Sequence, residues 1–290
     1  MRILLTGGHG HLAQVFIRLY GSVHDVVATV RTTRPGHDAG ARYVVAPDAH
    51  TLSDVLNSER FDAIVHLAQW RQPTSDPLDD VERIRDETAL FASLLEGAVN
   101  GGINRIFVAS TGGLYADSPS PLKETDRLLE PPNLDAYYAS KLAIEAMASP
   151  HFTRLNITIG RFFFIYGPGQ DGSKLLSRLI DSVGSGRPVT ISPSGGVRLN
   201  PVFVEDAARA IHCGLSSDGS RIINVAGPQA TSIRDLSDRL GRLMGNSPVF
   251  ESDGHDRNLV ADISTLASMM GSEMIGLDDG LGRTLASAPR

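Results

Sequence analysis

The stretch MRILLTGGHGHLA, residues 1–13, decides the fold of this chain. The short apolar run Ile3–Leu5 predicts a buried strand, and the glycines after it predict a tight turn. From His11 to Tyr20 the apolar residues recur with the period of a helix. The sequence therefore predicts a strand, a glycine turn and a helix at the beginning of a βαβ unit.

The glycine turn has the spacing G-x-x-G-x-x-A, with Gly7, Gly10 and Ala13 at its small positions. Gly7 permits a tight turn out of the strand, Gly10 lets a pyrophosphate approach the backbone, and Ala13 lets the helix pack closely on the strand. The pyrophosphate would lie on the helix N-terminus at His11 and Leu12. The alternative is a glycine turn that holds no ligand.

Alternation of strands and helices continues through the first half of the chain. We predict further strands at Val26–Val30, Tyr43–Val45, Ala63–His66, Ile106–Ala109 and Ile157–Ile159, and helices at Leu52–Leu56, Val81–Val99 and Ala136–Met147. This order predicts an α/β fold with a doubly wound parallel sheet, the Rossmann fold, over residues 1–165. Residues 166–290 are predicted to form a smaller substrate lobe in which some elements rejoin the main sheet.

The elements predicted in this second part are shorter and are separated by glycine and proline. They are helices at Ser173–Val183, Asp206–Cys213 and Ile233–Met244, and short strands near Val189 and Val202.

Composition excludes several classes of protein. The formal charge of -6 argues against nucleic acid as a partner, since phosphate binding needs a basic face. No apolar stretch approaches the roughly 18 residues of a membrane span, and the start of the chain does not resemble a signal peptide. The single cysteine, Cys213, fits a reducing compartment, so we expect a cytoplasmic protein. His9 and His11 lack a third ligand nearby, and no metal is expected.

The end of the second predicted strand bears on the choice of cofactor. NAD-binding sites usually have an acidic residue there, which bonds the ribose hydroxyls. Here Val30 is followed by Arg31 and Arg34 without a carboxylate. Because a guanidinium matches a 2′-phosphate in charge and geometry, we expect NADP, with NAD as the alternative.

A tyrosine and a lysine four residues apart lie in the predicted helix around YYASK, residues 137–141. Tyr137 and Lys141 share one face of that helix, whereas Tyr138 projects about 100° away around it. A neighbouring ammonium stabilises a phenolate, so Tyr137 is a candidate acid/base. Such a pair occurs by chance in many helices.

The combination of the glycine turn and the Tyr–Lys pair is specific for one family of enzymes. The chain resembles the extended short-chain dehydrogenase/reductases, the NAD(P)-dependent epimerase/dehydratase family, nearly from end to end. The matching segments are the Thr6-Gly7 turn, FDAIVHLA (61–68), RIFVASTGGLY (105–115), YYASK (137–141), YGPGQ (166–170), VED (204–206) and NVAGP (224–228).

The resemblance implies roles for these residues. Tyr137 would be the general acid/base, Lys141 would lower its pKa and hold the nicotinamide ribose, and Thr111 would hydrogen-bond the reacting oxygen. Asp48 would contact adenine, or it caps a helix. Leu67, Ala68 and Gln69 would border the cofactor. Family members are often homodimers through helices that include the one with the Tyr–Lys pair, so a homodimer is also expected.

At three places the chain departs from the family pattern. Family 4,6-dehydratases carry Asp-Glu directly after the catalytic Thr, where this chain has Gly112 and Gly113, so dehydration is not expected. Phe164 stands where nucleotide-sugar members usually have Asn. Arg198 is the candidate for binding a substrate diphosphate, although the spacing between Arg198 and Asp206 is one residue longer than in the family pattern.

We therefore expect an NAD(P)-dependent oxidoreductase or epimerase that acts on a hydroxyl or carbonyl of a carbohydrate-like substrate, with a nucleotide sugar as the leading class. Thr111, Tyr137, Phe164 and Arg198 are the expected substrate contacts. A carbonyl reductase of non-sugar molecules and a non-catalytic NADP-sensing regulator are the alternatives.

Overall fold

The computed structural model describes residues 1–33, 40–69, 77–253, 256–271 and 273–287. The strands are β1 Arg2–Thr6, β2 Asp25–Val30, β3 Arg42–Val45, β4 Ala63–His66, β5 Arg105–Thr111, β6 Asn156–Phe162, β7 Ile165–Tyr166, β8 Val189–Ile191, β9 Arg198–Leu199, β10 Val202–Phe203, β11 Arg221–Val225, β12 Thr231–Ser232, β13 Phe250–Ser252 and β14 Asn258–Leu259. The helices are α1 His11–Tyr20, α2 Ala49–Ser58, α3 Pro77–Gly101, α4 Ala136–Ala148, α5 Leu175–Ser185, α6 Val204–Ser216, α7 Ile233–Met244, α8 Ser264–Met270 and α9 Leu277–Ala286. Short 3₁₀ helices lie at Gly112–Leu114 and Ser149–His151.

Seven strands form the main sheet in the order β11-β6-β5-β4-β1-β2-β3. The pairs β1–β2, β2–β3, β1–β4 and β4–β5 are parallel. Ile3 of β1 lies beside Val26 on one side and Ala63 on the other. The predicted doubly wound sheet is confirmed, and its strand order reverses beside β1. In such sheets the ligand crevice lies outside the carboxyl ends of the strands at this reversal.

Alternating residues of the central strands are buried against different helices. Ile106 and Val108 of β5 belong to the apolar core that also contains buried residues of α2, α3 and α4. Between them, Phe107 projects to the opposite face, because successive strand side chains alternate. There it meets Gly214 of α6, where a Cβ would lie 2.8 Å from the Phe107 ring and 3.0 Å from Thr158. Helices therefore cover both faces of the sheet.

The chain forms two compact units, and neither is one continuous segment. The first unit consists of Met1–Leu114, Leu128–Arg161 and Ala208–Ile223, and the second of Tyr115–Arg127, Phe162–Ala207 and Asn224–Arg290. The second unit has its own apolar core, to which α5, α7 and α9 contribute leucines. The division at residue 165 stays a prediction. Strand β11, which the sequence analysis did not predict, lies at the sheet edge beside β6.

Among the described residues, no helix is both long enough and apolar enough to cross a membrane.

Two helical glycines offer a matched test of the packing on the sheet. Gly214→Ala would push a methyl group into the Phe107 ring, so we expect it to lower the free energy of unfolding by roughly 1–3 kcal/mol. Gly282 of α9 has nothing within 4 Å of an added Cβ. Gly282→Ala should therefore raise the free energy of unfolding by roughly 0.5–1 kcal/mol. Urea denaturation of both variants measures this, and equal effects would contradict the packing described.

Candidate active site

The turn after β1 is packed directly on the segment that follows β4. Gly7 has a φ of 78°, which favours glycine, and a Cβ there would lie 2.8 Å from the Cα and N of Ala68. The Ala68 N–H donates to Thr6 Oγ1 (3.2 Å), and this hydroxyl also lies 2.8 Å from His66 Nδ1. Gly7, Leu67 and Ala68, which the sequence analysis places at the cofactor, are thus brought together.

Helix α1 begins at this turn without a side-chain cap. Gly10 is its N-cap residue, no side chain caps the helix, and no acidic residue lies in its first turn. The Gly10 N–H donates to the Gly7 carbonyl (2.8 Å), and a Cβ on Gly10 would lie 3.1 Å from that oxygen. The N–H groups of the first helical turn, from His11 and Leu12 onward, favour an anion. The features of this turn fit the pyrophosphate of a dinucleotide.

Two predicted cofactor residues meet at the ends of the strands that flank β1. Arg31, directly after β2, donates from Nη2 to the Gln69 carbonyl (3.4 Å). Both residues are exposed. Arg34 lies outside the described residues.

Asp48 is the N-cap residue of α2. Thr51 N–H donates to its carboxylate (2.9 Å), and the Asp48 N–H donates to the Thr51 hydroxyl (3.3 Å), which makes a capping box. These hydrogen bonds hold the pKa of Asp48 below its ordinary value. The helix-cap interpretation is confirmed, while the contact with adenine stays a prediction.

Thr111 and Tyr137 come together through β5 and α4. Thr111 is the last residue of β5, and Tyr137 lies in the first turn of α4, which Asp135 caps by accepting from the Tyr138 N–H (2.8 Å). Burial raises the pKa of Tyr137 to about 12, and a hydrogen bond with the Thr111 side chain partly opposes this shift. The expected lowering of this pKa by Lys141 is not observed, because desolvation of the phenolate has the largest effect and raises it.

Lys141 is buried, with 3% of its surface exposed. Burial lowers the pKa of its ammonium, and the negative charge of Glu87 on α3 opposes this effect. The Ser140 hydroxyl donates to the Glu87 carboxylate (2.7 Å) and fixes it beside α4. The Glu87 carboxylate of the neighbouring helix thus interacts electrostatically with Lys141 and favours its charged form.

A buried ion pair ties α4 to β5 and β6. Glu145, one turn after Lys141, accepts from Arg161 Nε (3.1 Å) and Nη2 (2.7 Å). Its carboxylate also accepts from the Ser110 hydroxyl. Because Ser110 precedes Thr111, this network fixes the helix that carries Tyr137 relative to the strand that carries Thr111.

Tyr138 lies against the glycines that follow Thr111. A Cβ on Gly113 would lie 2.5 Å from Tyr138 Cε1 and 2.6 Å from its hydroxyl. The Gly113 N–H donates to Thr111 Oγ1 (3.1 Å). A longer side chain at position 113, such as the dehydratase Glu, would collide with this ring.

The two other predicted substrate residues belong to the second unit. Phe164 is packed against the apolar core of that unit and has a φ of 42°, in the left-handed region. Asparagine adopts this region more readily than an aromatic residue does, so position 164 suits the Asn of nucleotide-sugar members better. Arg198 begins β9 with its side chain exposed, and its N–H donates to the Arg257 carbonyl (2.9 Å).

Several residues of this region were not predicted from the sequence. Glu87 is one of them, although it shares a helix face with Phe91, four residues along, and a carboxylate on an apolar face was a usable signal. Gly8, where a Cβ would lie 2.9 Å from the Ala28 side chain, is another. The Glu145–Arg161 pair joins a helix to a strand and has no local sequence pattern. Within the described ranges, no group of three or more His, Cys, Asp or Glu could hold a metal ion.

Comparison with known proteins shows what the chain is similar to. The model of the NAD dependent epimerase/dehydratase family matches residues 3–226. A UDP-glucuronate 4-epimerase of Thermodesulfobacterium geofontis is 26% identical over 242 residues, which are 81% of this chain and 74% of the relative. A probable UDP-glucuronate 4-epimerase of Rhizobium meliloti is 31% identical over 232 residues, which are 73% and 67% of the two chains.

Among solved structures, that of MoeE5 in complex with UDP-glucose and NAD superimposes with a TM-score of 0.83. It is 27% identical in sequence, and the match covers 99% of this chain and 98% of that chain.

The buried pair provides a test of how the candidate site is held. Glu145→Gln leaves the Arg161 charge buried without its counter-ion, so we expect a loss of roughly 3–5 kcal/mol in the free energy of unfolding. Glu96 is exposed on α3, and Glu96→Gln serves as the matched control with almost no effect. Urea denaturation followed by circular dichroism measures both. A Glu145→Gln variant as stable as the control would show that the pair does not hold α4.

Proposed function

Because the chain belongs to the NAD-dependent epimerase/dehydratase family, whose enzymes are of the extended short-chain dehydrogenase/reductase type, we propose that it oxidises, reduces or epimerises a hydroxyl or carbonyl carbon of a carbohydrate-like substrate. A nucleotide sugar is the leading substrate class, and the UDP-glucuronate epimerases and the UDP-glucose complex named above support it. The observation that carries the proposal is the placement of Tyr137, whose pKa the Thr111 side chain lowers in opposition to burial, one helical turn before the buried Lys141 on the same helix.

The proton chemistry is assigned to this chain's own residues. A bound nicotinamide dinucleotide supplies hydride acceptance and donation. The Tyr137 phenolate takes the proton from the substrate hydroxyl during oxidation, and the resulting phenol returns it to the substrate oxygen during reduction. Thr111 Oγ1 hydrogen-bonds the same substrate oxygen and orients it toward Tyr137. The negative charge of Glu87 opposes the effect of burial and favours the ammonium form of Lys141, which would stabilise the phenolate form of Tyr137 during the transfer.

The dinucleotide would lie across the carboxyl ends of β1, β2 and β4. Its pyrophosphate fits the uncapped N-terminus of α1. The residues proposed to hold it are Gly7, Gly10, His11, Leu12, Arg31, Arg34, Asp48, Leu67, Ala68, Gln69, Tyr137 and Lys141. For the substrate we propose Thr111, Tyr137, Phe164 and Arg198.

For the cofactor we propose a preference for NADP(H). The exposed Arg31 follows β2, and no carboxylate stands between Val30 and Thr33. The 2′-phosphate of NADP would meet this guanidinium. NAD is the alternative, and it is the dinucleotide in the MoeE5 complex.

A carbonyl reductase of a non-sugar molecule is the second candidate function. The aromatic Phe164, in place of the Asn of nucleotide-sugar members, favours it. The presence of both Tyr137 and Lys141 speaks against the regulator alternative. We also propose a homodimer and a cytoplasmic location.

Arg31 tests the cofactor proposal. Arg31→Ala removes one charge-assisted hydrogen bond to the 2′-phosphate, so NADPH affinity should fall by roughly 10- to 100-fold while NADH affinity changes little. Fluorescence titration of both cofactors gives the ratio, and Arg154→Ala, an exposed arginine before β6, is the control. Tighter binding of NADH by the wild type, or an unchanged ratio in Arg31→Ala, would refute the preference.

Tyr137 tests the chemistry. Tyr137→Phe keeps the ring but removes the proton, so turnover should fall by the roughly 10²- to 10⁴-fold typical of a lost general acid/base, while cofactor binding persists. Lys141→Met should lower both turnover and cofactor affinity, because Lys141 is proposed to act on the phenolate and on the nicotinamide ribose. Tyr20, stacked on His212 between α1 and α6, supplies the control variant Tyr20→Phe.

The substrate is first sought among nucleotide sugars, free sugars and sugar acids, by cofactor absorbance and by NMR of product isomers, since an epimerase shows no net redox change. Wild-type turnover of an identified substrate by Tyr137→Phe would make the proposed mechanism wrong.

A further inference from the structure

A second phenol stands beside the Thr111–Tyr137 pair. The rings of Tyr137 and Tyr138 are tilted by 47° with their centroids 5.4 Å apart. Although the two positions are about 100° apart around the helix axis, the Tyr138 ring is turned onto the segment that follows β5. This contact of the Tyr138 ring was not predicted from the sequence.

Because Gly113 has no side chain, there is room beside it for the Tyr138 ring. The ring and hydroxyl of Tyr138 occupy the space in which a side chain at position 113 would begin, 2.5–2.8 Å from its Cβ. Gly113 is itself bonded to the Thr111 hydroxyl through its N–H (3.1 Å). The Tyr138 ring therefore covers the same short segment that presents Thr111.

The Tyr138 hydroxyl is available to a ligand. The side chain is half-buried, and among the described residues the hydroxyl has no hydrogen-bond partner. Phenol groups at partly buried positions usually find a partner. A polar ligand group beside the reacting carbon would satisfy the hydroxyl, as donor or as acceptor.

We propose that Tyr138 is a substrate-binding, specificity-determining residue, whose hydroxyl hydrogen-bonds a polar substituent of the sugar next to the reacting carbon. Gly113 is required because any side chain there displaces the Tyr138 ring. This inference rests on the proposed function, since it names a contact within the same site.

The test uses the whole 290-residue chain loaded with cofactor, with UDP-glucose and UDP-glucuronic acid as probes in isothermal titration calorimetry. Tyr138→Phe keeps the ring and removes the hydroxyl. One neutral hydrogen bond corresponds to a loss of roughly 2- to 10-fold in the affinity for the probe that binds. For a substrate that turns over, KM should rise by the same factor with kcat nearly unchanged, because the contact is to a non-reacting group. Cofactor affinity should not change, and Tyr20→Phe is the control.

The Gly113→Ala substitution provides a second, independent test of the Tyr138 contact. In the wild-type background the methyl group displaces the Tyr138 ring and should weaken probe binding at least as much as Tyr138→Phe. In the Tyr138→Ala background the same substitution should have no further effect, which a double-mutant cycle detects.

The outcomes separate this inference from the proposed function. If the wild type binds a probe and Tyr138→Phe binds it with the same affinity, the proposed role of Tyr138 is overturned and the proposed function still stands. If the wild type neither binds the probes nor turns over any sugar, both are overturned. Thermal unfolding confirms that each variant is folded, and if Gly113→Ala is not, Tyr138→Phe decides.

Discussion

Burial removes hydration from a lysine ammonium, so a nearby opposite charge has a large effect on its charge state, and Lys141 of this chain is buried in this way. Glu87 of α3 supplies the opposite charge, and Ser140 fixes that carboxylate by a hydrogen bond of 2.7 Å. The nearby His66 adds no positive charge, because burial and the Lys141 charge lower its pKa to about 3. Helices α3 and α4 therefore interact through charge as well as through apolar contact, and Tyr137 lies one turn before Lys141 on α4.

The rest of the first unit places this helix face at the correct edge of the sheet. The strand order reverses beside β1, so the carboxyl ends of β1 and β4 meet, and the glycine turn packs on Ala68 there. Farther along the same edge, β5 ends at Thr111, while the Glu145–Arg161 pair ties α4 to the strands. The residues proposed to hold the dinucleotide and those proposed to transfer the proton thus lie along one edge of the sheet.

Much of this could be predicted from the sequence because it is encoded locally. Helices α1 and α7 and strand β4 have the predicted bounds, since apolar periodicity and glycine placement determine them. The short strand β11 was missed, as was the long-range ion pair between Glu145 and Arg161. The packing of the Tyr138 ring on Gly113 was not predicted, because helix geometry sets where a side chain starts and not where its ring lies. Desolvation, which raises the pKa of Tyr137, also depends on packing that no motif records.

The most direct test of the account is the pKa of Tyr137 with and without NAD⁺, followed by NMR of protein labelled with ¹³C at tyrosine Cζ and assigned with Tyr137→Phe. Without a bound dinucleotide we expect a Tyr137 pKa of about 12. When NAD⁺ binds, the positive charge of its oxidised nicotinamide would lower this pKa by at least about one unit, since nearby cations favour a phenolate. A Tyr137 pKa that does not fall when NAD⁺ binds would contradict the assignment of Tyr137 as the acid/base.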